Sequence, residues 1–330
     1  MSMRWMSTRS EPADQTGRAD KAGQAGQSER RRRRRSVRLA AWCAGGLAVV
    51  GGLSAVTAMG APPSNLRPIP RIVGGGTVPG GMFPFMVALQ QWQGTGYLTI
   101  CGGTLVAPDR VLTAAHCVDQ WTVGGTTNGS PNDRLVVGLT SLSASDGQTR
   151  LPTSIQVDRT WDSATESDDA AVIRLDAPVN GIASPTLPLA GDRSHEPVGV
   201  SALAMGWGST QAEAPTDFSP GVYPDALRDV SLPLVSDSAC QGVFDGVHNP
   251  AVYPRVMMCA GGDGTHDACT GDSGGPLLDR LPGGGWELIG VTSWGDGCAV
   301  PGTPGVFTRL SAPEIHDFVA GAATGAYFGP

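Results

Sequence analysis

Residues 266–276 read HDACTGDSGGP and set a single serine, Ser273, among glycines and acids. Asp272 is its immediate neighbour, and Asp267 stands six residues before it. An acid or a serine in a glycine-rich turn usually serves only the turn or its solvation. The stretch carries chemistry only if the rest of the chain supplies a base for the Ser273 hydroxyl and separate tasks for the two carboxylates.

Two upstream segments supply such groups. LTAAHC at 112–117 contains His116, and DDAAVIRL at 168–175 places Asp169 at the start of an apolar run. Taken singly, a buried histidine and an acid at a strand start need no function. In the order His, Asp, Ser they suggest nucleophilic catalysis, because a serine hydroxyl needs a base, histidine serves near neutral pH, and a carboxylate fixes its tautomer.

The segments around these residues predict an all-β body. Residues 72–310 alternate short apolar runs with clusters of Gly, Pro, Asn and Asp, which is the spacing of a sandwich or barrel. The turn-rich connection 176–192 divides this region into comparable halves. We therefore expect two β halves of one folding unit, with the site between them.

One helix is predicted, near the end of the chain. Residues 312–323 read APEIHDFVAGAA, with Ile315, Phe318 and Val319 at helical spacing. Ser311 is the expected N-cap, with Glu314 three residues further on.

The charge distribution separates the first 71 residues from the body. Residues 1–71 carry 13 basic and 4 acidic residues, whereas residues 72–330 carry 10 arginines against 26 acids, a net charge of −16. An acidic body of this kind argues against a nucleic-acid partner.

The N-terminal region has the parts of an export signal. Residues 1–38 are polar and basic, are expected to be disordered, and include the six-arginine run 30–35. Residues 39–61 contain no charge and end in small residues, as in a signal peptide cleaved after Ala58 or Ala61. The alternative is an uncleaved membrane anchor, because about 20 apolar residues span a bilayer. Both interpretations place the body outside the cytoplasm.

Cysteine usage agrees with export. Of seven cysteines, Cys43 lies in the apolar segment and six lie in the body, an even number that suggests disulfides. The count alone leaves fifteen pairings open. No close Cys/His set has the spacing of a zinc site, so no metal is expected, and the scattered aspartates leave calcium binding undecided.

Seven motifs together resemble the trypsin branch of the chymotrypsin-like serine proteases, and most of all the short secreted enzymes of actinobacteria. They are, in order, RIVGG, LTAAHC, DDAAVIRL, GWG, CTGDSGGP, VTSWGDGC and PGVFTRL, spread over about 72–310. The resemblance implies two six-stranded antiparallel β-barrels with the active site in the cleft between them and a short C-terminal helix.

The implied domain boundaries follow from this resemblance. They are a propeptide at 62–71, a protease domain at 72–320 and a tail at 321–330, with barrel one at about 72–180 and barrel two at about 190–310.

The resemblance assigns the catalytic groups by position. His116 is the expected general base, Asp169 its orienting acid and Ser273 the nucleophile, while the N–H groups of Gly271 and Ser273 form the oxyanion hole. Asp168 is excluded because the family's acid precedes the pattern x-Ala-x-x-x-Leu, which only Asp169 fits.

The same resemblance implies a specificity for basic residues. Asp267 holds the position of the acid at the base of the primary specificity pocket, and Gly295 and Gly305 match its open walls. Ser293 and Gly295 are expected to pair with the substrate backbone. Cleavage is therefore expected after Arg or Lys, whose charge relieves the desolvation of a lone carboxylate.

An activation step is implied as well. The family is made as a zymogen that is cut before IVGG, here between Arg71 and Ile72, and the new amine pairs with Asp272. Because the cut follows an arginine, self-activation is a consistent hypothesis.

The implied disulfides select one of the fifteen pairings: Cys101–Cys117, Cys240–Cys259 and Cys269–Cys298. No cofactor is expected. The expected partners are protein or peptide substrates and proteinaceous protease inhibitors, and the chain is expected to be a monomer.

Two other functions fit the sequence less well. An inactive binding module of the same fold requires a broken triad or oxyanion loop, and neither is seen in the sequence. An α/β esterase requires its catalytic residues in the order Ser, Asp, His, whereas the candidates here stand in the order His116, Asp169, Ser273.

Overall fold

The chain forms two curled antiparallel β-sheets, as the all-β prediction requires. This computed structural model describes residues 72–119, 121, 132–214, 221–245 and 251–325. The strands, in chain order, are β1 Gly76–Thr77, β2 Met86–Trp92, β3 Tyr97–Ala107, β4 Arg110–Thr113, β5 Arg134–Val137, β6 Gln148–Arg150, β7 Pro152–Val157, β8 Ala171–Leu175, β9 Ser201–Gly206, β10 Arg228–Val235, β11 Met257–Ala260, β12 Pro276–Arg280, β13 Trp286–Trp294 and β14 Gly305–Arg309.

The C-terminal sheet is a closed barrel. Its strands run in the order β9-β10-β11-β14-β13-β12, and β12 pairs back onto β9, so six strands form a ring. β10 shows why the sequence takes this form: Val230, Leu232 and Leu234 are buried, and the intervening Ser231 is exposed. This period of two places one face of the strand in the barrel interior.

The N-terminal sheet has seven ladder segments in the order β6-β5-β2-β3-β4-β8-β7. Its two edges, β6 and β7, are separated only by Leu151, so consecutive pieces of chain form both ends of the sheet. The sheet is accordingly curled rather than flat, but its ladder is not closed by strand pairing as that of the other barrel is.

Segments near the two ends of the described region contact the opposite sheet. β1, although it precedes the N-terminal sheet in sequence, pairs with β10 through Gly76 and Asp229. At the other end, the Nε of Arg110 on β4 donates to the carbonyl of Ala322 at 3.2 Å, so the C-terminal helix lies against the N-terminal sheet. Each end thus fastens one half of the protein to the other.

Helix α2, Pro313–Ala323, confirms the predicted C-terminal helix and buries Ile315, Phe318 and Val319. The predicted N-cap is wrong. Ala312 occupies that position with Pro313 following it, while the buried Ser311 hydroxyl donates to Glu196 Oε1 at 2.5 Å. Pro fits the first helical position because its missing N–H is not needed there.

A second helix, α1 at Asp237–Phe244, was not predicted. Its N-cap is Ser236, whose hydroxyl accepts a hydrogen bond from the Ala239 N–H at 3.2 Å. The helix has only eight residues and two buried side chains, Cys240 and Phe244, so its apolar period is too short to be distinguished in the sequence.

Candidate active site

His116 stands in a single 3₁₀ turn, Ala115–Cys117, that follows β4. The disulfide between Cys101 and Cys117 ties this turn to β3. The turn is further fixed by the main chain, because the His116 N–H donates to Asp169 Oδ1 at 2.9 Å. Ring and backbone of the histidine are therefore positioned by the same acid.

Asp169 lies two residues before the start of β8 and is completely buried. Its Oδ2 lies 2.8 Å from His116 Nδ1 and also accepts a hydrogen bond of 2.6 Å from the Ser293 hydroxyl of β13. Its carbonyl accepts a further bond of 2.8 Å from the Thr308 hydroxyl of β14. Hydrogen-bond donors from both sheets thus fix the position of this carboxylate.

The pKa of His116 is raised above its ordinary value. Burial lowers the pKa, but the hydrogen bond to Asp169 and the negative charges of Asp169, Glu166 and Asp119 outweigh that effect. An imidazole in this position accepts a proton readily, as a general base requires.

Ser273 lies in the tight loop that leads into β12. Gly274 has φ +78°, and a Cβ there would lie 2.1 Å from Thr113 Oγ1 and 2.5 Å from the Gly102 carbonyl oxygen. The Gly102 N–H donates to the Ser273 carbonyl at 2.8 Å. The absence of a side chain at 274 lets the serine loop press against β3 and β4, the strands that lead to His116.

One cleft of about 620 Å³ brings the predicted groups together. The cleft is lined by residues predicted for catalysis, the oxyanion hole and substrate binding: His116, Gly271, Ser273, Ser293, Gly295, Gly305 and Asp267. Gly271 has φ +96°, a conformation that other residues rarely adopt.

Asp267 is 98% buried at this cleft. Its Oδ2 accepts a hydrogen bond of 2.9 Å from the Ala299 N–H, whereas its Oδ1 has no hydrogen-bond partner. Burial raises the pKa of Asp267 to about 7, against the opposing effect of the Ala299 and Ala268 N–H groups. A Cβ at Gly305 would lie 3.1 Å from the free oxygen, so glycine keeps the approach to it open.

Asp272 is also buried but does not line the cleft. Its Oδ1 accepts from the Gly208 N–H at 2.7 Å and its Oδ2 from the Cys269 N–H at 2.9 Å. Burial raises the pKa of Asp272 to about 7. Ile72 is fully buried in the interior of the C-terminal barrel, and Arg71 lies outside the described residues.

Asp168 takes no part in holding the histidine. Its backbone has φ +57°, its side chain is 95% buried, and it lines a different cavity. This arrangement is consistent with the sequence pattern x-Ala-x-x-x-Leu, which Asp169 fits and Asp168 does not.

Three disulfides join Cys101 to Cys117, Cys240 to Cys259 and Cys269 to Cys298. These are the pairs that the resemblance implied. The last one links the serine loop to the segment that contacts Asp267.

Two acids of the site were missed in the sequence. Glu166 has φ +53°. One of its carboxylate oxygens lies within 4.8 Å of both a ring nitrogen of His116 and a carboxylate oxygen of Asp169. Glu213 lines the cleft and accepts a hydrogen bond of 2.9 Å from the Thr270 hydroxyl. Both come from loops without a motif, so only the folded chain shows their position.

Three groups of residues among those described offer three potential metal-ligand atoms each. In two of them the cysteines are already joined as disulfides. The third is His116, Glu166 and Asp169, in which the Nδ1 of the histidine is hydrogen-bonded to Asp169. Disulfide bonds therefore engage the sulfur atoms of the first two groups, and a hydrogen bond joins two members of the third.

The comparison with protein families agrees with this geometry. The family model described as Trypsin matches residues 72–319, which cover both sheets and most of helix α2. The chain belongs to the trypsin family. The region that matches the trypsin-family model begins at Ile72, the residue that follows Arg71.

Relatives of this trypsin-family chain occur in bacteria and animals. It is 37% identical over 243 residues to the trypsin of Saccharopolyspora erythraea, covering 73% of this chain and 94% of that protein. It is 34% identical over 277 residues to a trypsin-like protease of Streptomyces glaucescens, covering 81% and 91%. It is 39% identical over 251 residues to Serine protease 56 of Mus musculus, covering 73% of this chain but only 37% of that protein.

The segments proposed to direct export lie outside the described residues. Within the part of the chain that the structure describes, no helix has the length and apolar composition needed to cross a membrane.

Proposed function

We propose that this protein is a secreted serine endopeptidase, made as a zymogen, that hydrolyses peptide bonds after Arg or Lys through an acyl-enzyme. The observation that carries the proposal is the buried and unpaired Oδ1 of Asp267 in the same cleft as His116 and Ser273. A basic side chain is the ligand that such an oxygen lacks.

The acylation step uses the three residues in separate roles. The Ser273 Oγ attacks the scissile carbonyl carbon while His116 takes its proton. His116 then gives this proton to the leaving amine as the C–N bond breaks, which leaves an ester on Ser273. In deacylation, a water molecule attacks the ester carbonyl carbon while His116 takes its proton. His116 then returns the proton to the Ser273 Oγ as the ester C–O bond breaks, which releases the carboxylic acid product. Asp169 stabilises the imidazolium that forms in both halves.

The backbone N–H groups of Gly271 and Ser273 stabilise the oxyanion of each tetrahedral intermediate. Donors of this kind are each worth about 3 kcal/mol in the transition state. The left-handed φ of Gly271 supports this role, because a side chain at that position is strained and would stand 3.1 Å from the Gly208 Cα.

Substrate selection rests on Asp267. The guanidinium of an arginine, or the ammonium of a lysine, neutralises the buried carboxylate, and arginine does so with two hydrogen bonds. Gly295 and Gly305 leave room for the side chain, and the backbone of Ser293 and Gly295 pairs with the substrate as an added strand.

Activation is proposed to follow cleavage of the Arg71–Ile72 bond. The new Ile72 amine then pairs with Asp272 and orders the oxyanion loop. Two observations support this pairing: Ile72 is fully buried in the C-terminal barrel, and the pKa of Asp272 is raised to about 7 by burial, a penalty that an ammonium partner removes.

The protein acts outside the cell as a monomer on protein or peptide substrates, and proteinaceous inhibitors are further partners. Residues 39–61 are removed as part of the signal. In the alternative arrangement they anchor the chain with the protease domain outside. The N-terminal sequence of the active form tests the signal, the anchor and the Arg71–Ile72 cut together, since the proposal requires it to begin IVGG.

The specificity is tested by digesting a denatured protein and identifying the new C-termini by mass spectrometry. Cuts are expected after Arg and Lys with the wild type. Asp267→Ser should lose them, whereas Asp263→Ser, which removes an exposed acid of the same loop, should retain them. Retention of basic cleavage by Asp267→Ser refutes the pocket assignment.

A further inference from the structure

A second cavity, of about 350 Å³, lies between the loop that enters β8 and the segment that precedes β11. Its lining residues are Ser167, Asp168, Tyr253, Pro254, Arg255 and Val256. None of them lines the catalytic cleft, so the two spaces are separate.

The cavity contains a buried carboxylate whose bonding capacity is incomplete. Asp168 is only 5% exposed, and its Oδ1 has no hydrogen-bond partner. Burial raises the pKa of Asp168 and the charge of Asp158 adds to this effect, while the hydrogen bond from Ser167, the positive charge of Arg255 and the hydrogen bond from Thr160 oppose it.

The backbone at Asp168 adopts a left-handed conformation. Its φ is +57°, in the left-handed region that side chains other than glycine rarely occupy.

Arg255 on the cavity wall acts on Asp168 through its charge, but its ion pair is with another acid. The Arg255 guanidinium pairs with Glu314 of helix α2, and 72% of the Arg255 side chain is exposed. Among the described residues, no cation forms an ion pair with Asp168. Tyr253, which is 43% exposed, offers an aromatic surface on the same wall.

We propose that this cavity binds an alkyl guanidinium or alkyl ammonium group, separate from the one that Asp267 binds. A cation paired with Asp168 relieves the desolvation of its carboxylate. The ring of Tyr253 adds a cation–π contact, and the volume suits one extended side chain rather than a larger ligand. The group is carried either by an arginine or lysine side chain of a bound protein or by a free amine.

The test begins by filling the catalytic cleft of the purified active enzyme with an arginyl chloromethyl ketone, which alkylates His116. Failure of this labelling contradicts the proposed function rather than the new site. The labelled enzyme is then titrated with agmatine and, separately, with acetyl-Gly-Arg-Gly-amide by calorimetry.

The labelled wild type is expected to bind one equivalent of agmatine. Asp168→Asn should weaken binding about tenfold or more, since one partner of a buried charge pair is lost. Asp317→Asn removes an exposed acid of α2 and should bind as the wild type does. Binding of the peptide as tight as that of agmatine assigns the site to protein side chains, and binding of agmatine alone assigns it to free amines.

The proposal is overturned if the labelled wild type binds neither probe, or if Asp168→Asn binds them as well as the wild type does. Binding that appears only in Arg255→Gln also overturns it, because Arg255 would then close the cavity in solution. Tyr253→Leu, at the exposed wall, provides a second variant if Asp168→Asn does not fold, and it should weaken binding of both probes.

Discussion

The Ser293 hydroxyl donates a hydrogen bond of 2.6 Å to Oδ2 of Asp169, the same oxygen that lies 2.8 Å from His116 Nδ1. A residue of the C-terminal barrel therefore shares the acid that orients a histidine of the N-terminal sheet. The bond requires Oδ2 to act as an acceptor towards two donors at once, which an ionised carboxylate does and a carboxamide nitrogen does not.

Asp169→Asn should therefore lower kcat by about 10⁴, because the amide favours the wrong imidazole tautomer. Asp168→Asn, a chemically identical change one residue earlier, should leave kcat close to that of the wild type, since Asp168 does not contact His116. Steady-state kinetics on an arginyl substrate compares the two variants. Comparable losses in both contradict the assignment of Asp169 as the orienting acid.

The charge of Glu166 is expected to contribute to the position of the acid limb of the pH profile. Burial lowers the pKa of His116, while Asp169 and then Glu166 raise it. Glu166→Gln removes one raising charge, so the pKa of His116 should fall and activity should persist to lower pH. The pH dependence of kcat/KM reports this shift in the free enzyme.

The matched control for Glu166 is Asp317→Asn, an exposed acid of α2 that pairs with His316. It should leave the acid limb in place. An unchanged limb in Glu166→Gln, or a limb moved to higher pH, shows that the charge of Glu166 does not act on His116.

His195 should make stability depend on pH. Its Nδ1 lies 2.7 Å from Asp279 Oδ2, and this hydrogen bond, together with the charges of Glu287 and Asp279, raises the pKa of His195 above 6.5 despite partial burial. Because the folded pKa is the higher one, the stabilisation is complete below about pH 6.5 and is lost as pH rises through the folded value.

Urea unfolding of the wild type and His195→Gln at several pH values checks this. The difference in the free energy of unfolding should be largest at acidic pH and should shrink towards alkaline pH. Asp279→Asn should remove the same pH-dependent part. A difference that is constant with pH, or that grows with it, is the contrary result.

Gly274 should tolerate no side chain. Alanine there adds a left-handed strain of about 1–2 kcal/mol and places a Cβ 2.1 Å from Thr113 Oγ1. Gly284→Ala is the matched control, because that glycine has φ +89° and open space around the added Cβ.

The free energy of unfolding should fall more in Gly274→Ala than in Gly284→Ala, and only the former should lose activity, since it displaces the loop that carries Ser273. Urea unfolding and kcat measure the two effects. Equal losses in both variants mean that backbone strain, not the contact with Thr113, accounts for the requirement.

The sequence was most informative where function requires a short contiguous motif. The all-β class and helix α2 followed from apolar periodicity, and the three segments around His116, Asp169 and Ser273 followed from their residue types and order. The roles of Asp267 and Asp272 were also separated by position, and the structure agrees to the extent that Asp267 lines the cleft and Asp272 does not. Helix α1 was missed because eight residues carry too short a period.

The tertiary structure decided what depends on distant segments meeting. Residue order leaves fifteen disulfide pairings open. No local pattern places β1 on β10, Glu166 beside His116, or Asp168, whose Oδ1 has no hydrogen-bond partner, at a separate cavity. Local patterns specify the strands because each strand buries one face, whereas the neighbours of a loop residue are set by how the two sheets curl and pack. The sequence by itself thus determined the family and the candidate catalytic residues, and only the fold determined the second cavity.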